Sequence, residues 1–159
     1  MKFNLLETFT ILLMGLPIVA TSQMIQSPNV YPTHSLGFSQ GIISNNFLFV
    51  SGQVGWDKDR KLTGTGTFED QAQQTFKNIE SVLKEVNLSM DKVVYLRIFV
   101  TEMTDENKRT ITALLHIYFS NEYKPATSLI GVNAFARKEL LIEIETIANY
   151  DNKQKLKPT

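Results

Sequence analysis

The stretch LLIEIETIA, residues 140–148, alternates with a period of two. Successive side chains of a strand point to opposite faces, so Leu140, Ile142 and Ile144 share one side. Leu141, Glu143, Glu145 and Ile147 share the other. The first face reads as core. The second sets two carboxylates among aliphatic residues and has two readings. Glutamates on the solvated face of a half-buried sheet are the ordinary meaning of such alternation. The alternative is a carboxylate placed to move a proton or to orient a water.

The neighbouring segments place this strand in a sheet. TSLIGVNAF, residues 127–135, reads as the strand before it, after a connection closed by Pro125. The β-branched and aromatic run at about 93–101 predicts another strand, on which Tyr95, Arg97 and Phe99 alternate onto one face. Between these lies a helix capped by Thr104, with Ile111, Leu114, Leu115 and Tyr118 as its buried stripe and His116 off it. An earlier helix starts at Thr67, carries Glu69 and Asp70 at its positive end, and buries Ala72, Phe76, Ile79, Leu83 and Val86. Upstream, strands at about 38–44 and 47–54 flank Asn45-Asn46, residues that tolerate the positive φ of a tight hairpin turn. The GTGT of residues 64–67 lacks the Lys-Ser/Thr of a phosphate loop and reads as a flexible entry to the helix.

The expected order is β-β-α-β-α-β-β, an α+β domain. A sheet that opens and closes with hairpins cannot be purely parallel, so a single mixed sheet with two helices packed on one face is expected. Its other face would show water Leu141, Ile147, Tyr95 and Phe99 around a few charges. Such mixed faces usually meet another subunit.

A chain of 159 residues is one ordinary domain, with 43% hydrophobic and 20% charged residues. Sixteen basic residues balance sixteen acidic ones, so no net field recruits nucleic acid or an anionic membrane. Without cysteine there is no thiol nucleophile or thiolate metal site. His34 and His116 are far apart, and no HExxH occurs, so no metal site is expected.

Residues 1–22 read as a signal peptide: Lys2, then a largely apolar run from Phe9 to Ala20, then the small residues Ala20, Thr21 and Ser22. The run is too short to cross a membrane, so no stable anchor would remain after cleavage. Glu7 and the single lysine leave an amphipathic helix packed on the domain as the alternative. The expected location is periplasmic or secreted, with cytoplasmic as the alternative. Residues 23–36 form a polar, proline-broken, extended lead-in, residues 37–150 the folded domain, and residues 151–159 a polar tail.

The motifs FVSGQVGWD, FEDQAQQTFKNIESVL, VYLRIFVTEM, KPATS and LLIEIETIA occur in this order between Gly37 and Ala148. In this combination the sequence resembles the reactive-intermediate deaminases, the RidA/YjgF family, with its chorismate-mutase-like fold. The resemblance implies a homotrimer with small-molecule clefts between subunits, and hydrolysis of enamines and imines such as 2-aminoacrylate without a cofactor. It also implies site residues. The last-strand glutamate that positions water matches Glu143, and the SGQ glycine matches Gly52. The family's tyrosine before the first strand is Phe38 here, which keeps the ring and loses the hydroxyl. The family's carboxylate-binding arginine is Thr127.

A bidentate arginine–carboxylate pair is among the strongest charge-assisted contacts, and threonine offers one neutral hydroxyl. Losing such a partner commonly costs about 2–5 kcal/mol. Poor hydrolysis of 2-aminoacrylate is therefore expected. Three readings follow: a divergent imine or enamine hydrolase using Glu143, a non-catalytic small-molecule binding trimer, and a chaperone-like or partner-binding trimer. In the second, Phe38 and Leu129 help line an apolar cleft and Thr127 supplies one hydrogen bond. The retained Glu143 puts the hydrolase first. Arg97 is expected to pair with Glu145, leaving Glu143 at the cleft. The competing arrangement brings Arg97 or Arg137 in as the missing arginine.

Overall fold

The structure is a computed structural model that describes residues 22–151. The expected leader, Ser22 excepted, and the tail beyond Asp151 lie outside the described residues. Six strands and two helices follow in chain order: β1 Gln23–Ile25, β2 Gly41–Ser44, β3 Phe47–Val54, α1 Phe68–Lys84, β4 Val93–Val100, α2 Asp105–Tyr118, β5 Ala126–Gly131 and β6 Ile142–Asn149. The strands form one mixed sheet in the order β1-β2-β3-β6-β4-β5, in which only β4 and β5 run parallel.

Two details differ from the sequence expectation. The lead-in holds a short strand, β1, which adds to the edge of β2. The closing pair is not a hairpin. β6 enters the middle of the sheet between β3 and β4, and β5 lies outside β4 as the far edge. The fully covered face of β6 fits this placement: Ile142, Ile144 and Ala148 have no exposed surface, and α1 lies across β6 and its neighbour β3.

The helices form as their caps and stripes dictate. The Thr67 hydroxyl accepts from the Asp70 N–H, and the Thr104 hydroxyl accepts from the Asn107 N–H. α1 lies on β3 and β6, and Phe76 stacks on Tyr118 of α2 with ring centroids 4.7 Å apart. Val86 lies beyond the helix end and is only partly buried, as are Leu115 and Tyr118. The β2–β3 turn places Asn45 at φ 54°, the left-handed conformation expected of it.

Away from the helices, the sheet shows a cross-strand row running Met24, Ile42, Phe49, Ile147, Tyr95 and Ala126. Met24, Ile42 and Phe49 are exposed, and β5 is uncovered along almost its whole length. This open face carries Glu143 and Glu145 as well.

Candidate active site

A β-bulge creates the site. Val50 pairs with Thr146 and Gln53 with Ile144, so Ser51 and Gly52 together face the single residue Glu145. An extra residue in one strand bends it and re-aims the groups beside it. Here the Glu143 side chain lies directly on Gly52. A Cβ added at Gly52 would sit 1.8 Å from the Glu143 Oε1 and 2.6 Å from its Cδ. No other amino acid fits there without displacing the carboxylate.

Buried polar side chains hold the flanking strands. Gln71 of α1 donates to the Gly66 and Glu139 carbonyls and accepts from the Leu141 N–H, which fixes the entry to β6. Asn78, also on α1, donates to the Val54 and Trp56 carbonyls and fixes the exit of β3. Glu143 is thus placed by two strands that share one helix as their brace.

The lead-in folds under the site. Gln40, fully buried, accepts from the Ser27 N–H and donates to the Tyr31 carbonyl at 2.9 Å. Tyr31 is itself only 3% exposed and packs edge-on against Trp56, with centroids 5.4 Å apart. Its hydroxyl donates to the Gly52 carbonyl at 3.2 Å. Arg60 donates to the Pro32 carbonyl, just beyond Tyr31.

A cavity of about 410 Å³ opens here, lined by Tyr31, Phe38, Gly52, Arg60, Arg137 and Glu143, with Leu36, Trp56 and Leu140 in its apolar wall. Burial raises the Glu143 carboxyl above the usual carboxylate range, and the negative charge of Glu145 adds to the rise. Burial pushes the Tyr31 phenol up to about 12, with the Glu143 charge acting the same way and Arg60 opposing it. A neutral donor therefore stands beside a carboxylate that holds a proton more readily than usual. A slightly larger hollow, about 430 Å³, lies on the open sheet face around Arg97 and Glu145, whose charges pair with each other.

The structure brings Glu143, Gly52 and Phe38 together and leaves Thr127 and Leu129 elsewhere. Both sit on β5, separated from β6 by β4. The Thr127 hydroxyl donates to the Pro125 carbonyl at 3.1 Å, and its side chain borders a different hollow, of about 240 Å³, with Leu115, His116 and Phe119. Leu129 is 40% exposed. Within one protomer neither reaches the Glu143 cavity. Arg97 donates to Glu145 at 2.8 Å and does not line the Glu143 cavity, whereas Arg137 does. Sequence reasoning missed Tyr31 and Arg60. The resemblance puts the family's tyrosine at position 38, and no periodicity marks a loop residue that folds beneath a strand.

Fold and site define an α+β protein whose half-buried Glu143 carboxylate stands over a glycine bulge in one mixed sheet. The chain belongs to the RidA/YjgF family: the family model described as Endoribonuclease L-PSP matches residues 29–150. It is 32% identical over 110 residues to the 2-iminobutanoate/2-iminopropanoate deaminase of Dermatophagoides farinae, covering 69% of this chain and 83% of that one. The crystal structure of yeast Mmf1 matches with a TM-score of 0.74 at 29% identity, covering 82% of this chain and 100% of the other. The Rid-family protein YyfA of Yersinia pestis matches with a TM-score of 0.74 at 31% identity, covering 81% and 99%.

Proposed function

We propose that the chain hydrolyses small imines or enamines in the Glu143 cavity, as one subunit of a homotrimer. The observation that carries this reading is the Glu143 carboxylate, raised by burial and held on Gly52 inside a cavity of small-molecule size. The name of the mite relative, an imine deaminase, supports it.

The chemistry needs no metal or organic cofactor. Glu143 takes a proton from water as the water oxygen bonds the carbon of a protonated C=N group and the π electrons move onto nitrogen. The same carboxyl then gives that proton to the nitrogen of the carbinolamine. An oxygen lone pair forms the carbonyl, the C–N bond breaks, and the hydroxyl proton leaves with ammonia as ammonium. One water and one iminium ion become one carbonyl compound and one ammonium ion. Glu143 ends as it began.

The trimer supplies what one protomer lacks. The open sheet face and the uncovered β5 are the surfaces for other copies, and a neighbouring β5 would bring Thr127 and Leu129 to the cleft. Thr127 in place of arginine weakens the hold on a substrate carboxylate, so 2-aminoacrylate is a poor substrate. Arg137 and Arg60 are the cations at the cavity itself.

One observation favours a second reading, binding without chemistry: the Thr127 hydroxyl is turned to Pro125. RNA cleavage, which the family model's description raises, is disfavoured by the balance of sixteen basic and sixteen acidic residues. The deciding experiment couples an aminoacrylate-producing enzyme to pyruvate detection and compares wild type with Glu143→Gln. Accelerated pyruvate release that disappears in the variant establishes the hydrolase. No acceleration by wild type, on this substrate or on an uncharged imine, leaves the binding reading.

A further inference from the structure

We propose that the Tyr31 hydroxyl is the second anchor of the attacking water, accepting a hydrogen bond from one O–H while Glu143 receives the other proton. The inference rests on the hydrolase reading of the Glu143 cavity and adds a residue to it.

Three observations carry it. Tyr31 and Glu143 both meet Gly52, one at its carbonyl and the other against its Cα, and both line the same cavity. The Tyr31 proton is already committed, because the hydroxyl donates to the Gly52 carbonyl. What that hydroxyl has left to offer is its oxygen lone pairs, which accept. A water donating to both Glu143 and Tyr31 has both protons engaged, so its own lone pair faces the open cavity, where an imine carbon would lie. Preorganisation of this kind lowers a barrier because no group must reorient during the reaction.

Tyr31 is also unusually well fixed for a loop residue. Gln40 holds its carbonyl, Trp56 packs against its ring, and Arg60 holds the next carbonyl along the chain. Phe38 lies in the same cavity wall without a hydroxyl. The structure thus carries one phenolic oxygen in this cavity, and it comes from the lead-in rather than from position 38.

The test uses the full chain and 2-aminoacrylate released by a coupled enzyme, in whichever of wild type and Thr127→Arg is faster. Tyr31→Phe keeps the ring on Trp56 and removes the hydroxyl, both the acceptor for water and the bond donated to the Gly52 carbonyl, so melting temperature is read alongside rate. The substitution should lower kcat about tenfold, the worth of about one hydrogen bond, and leave KM within about twofold. Adding Phe38→Tyr to Tyr31→Phe should recover part of the rate by returning a hydroxyl to the cavity. Tyr31→Phe with unchanged kcat, while Glu143→Gln is inactive, overturns the role of Tyr31 alone. A loss that follows a lowered melting temperature, with no recovery in the double variant, assigns Tyr31 to structure and overturns it as well. A parent that does not accelerate pyruvate release removes the hydrolase reading and this inference together.

Discussion

Arg97 donates from Nη1 to Oε2 of Glu145 at 2.8 Å, directly across the β4–β6 ladder. Glu143, two residues earlier on the same face, lies instead on Gly52. The two carboxylates of the final strand therefore have different surroundings. Glu145 is an ion-paired residue of the open sheet face, with Arg97 also 5.7 Å from the Tyr95 ring. Glu143 is the one that lines the cavity and carries no ion pair to Arg97.

In one protomer the Arg97–Glu145 pair is nearly half exposed, and such pairs contribute little to stability. Covering the face with other subunits would change that, because removing one partner would strand a buried charge. Arg97→Ala should therefore loosen assembly more than it unfolds the subunit. Light scattering across a dilution series is expected to show wild type as a trimer at micromolar concentration and Arg97→Ala dissociating at higher concentration. A monomeric wild type would remove the trimer and the cleft between subunits.

Thr127→Arg should raise the rate with 2-aminoacrylate by about tenfold or more, since it adds a guanidinium that can grip a carboxylate. Arg137→Gln should raise KM for the same substrate without lowering kcat, if the cavity's own cation carries part of that hold. Steady-state pyruvate release measures both. A wild type as fast as Thr127→Arg would mean that position 127 does not face the substrate.

Gly52→Ala forces a methyl into the space of the Glu143 carboxylate, 1.8 Å from Oε1. Overpacking of this kind typically costs about 1–3 kcal/mol, unless the side chain swings away. Either result displaces the Glu143 carboxylate, so under the proposed hydrolase role activity should fall below detection while thermal melting shows a modest loss. Retained activity would place the chemistry elsewhere.

A carboxyl whose pKa is higher in the folded than in the unfolded state binds its proton more tightly when folded. Its contribution is present at low pH and is lost as pH rises from the ordinary carboxylate value through the raised one. Glu143 is such a group, with Glu145 raising it further, and ionised Glu143 therefore costs stability at neutral pH. Glu143→Gln should melt higher than wild type at pH 7, a gain that disappears in acid. Melting curves at several pH values check the sign.

If residues 1–22 direct export, protein isolated from its native cells should begin at Gln23 or within a few residues of it. Mass spectrometry of the intact chain decides this, and Met1 retained in a cytosolic fraction would contradict it. Gln23 opens β1, so the mature chain would start at the strand that adds to the edge of β2.

Much of the architecture was written in short-range pattern. Alternation at 140–148 separated the buried Ile142 and Ile144 from Glu143 and Glu145, and Thr67 and Thr104 marked both helix starts by their capping chemistry. Asn45 marked the hairpin turn. Period and capping depend on residues a few positions apart, so they survive without knowledge of the fold. The insertion of β6 between β3 and β4 was not legible, because strand order is settled by which apolar faces can be buried together across long loops. Nor was the site complete in the sequence. Motif matching located Glu143, Gly52 and Phe38, but a bulge at Ser51 and Gly52 aims the carboxylate, and the packing of the lead-in delivers Tyr31 to the Gly52 carbonyl. Those contacts join residues far apart in the chain, and only the folded core brings them within reach of a hydrogen bond.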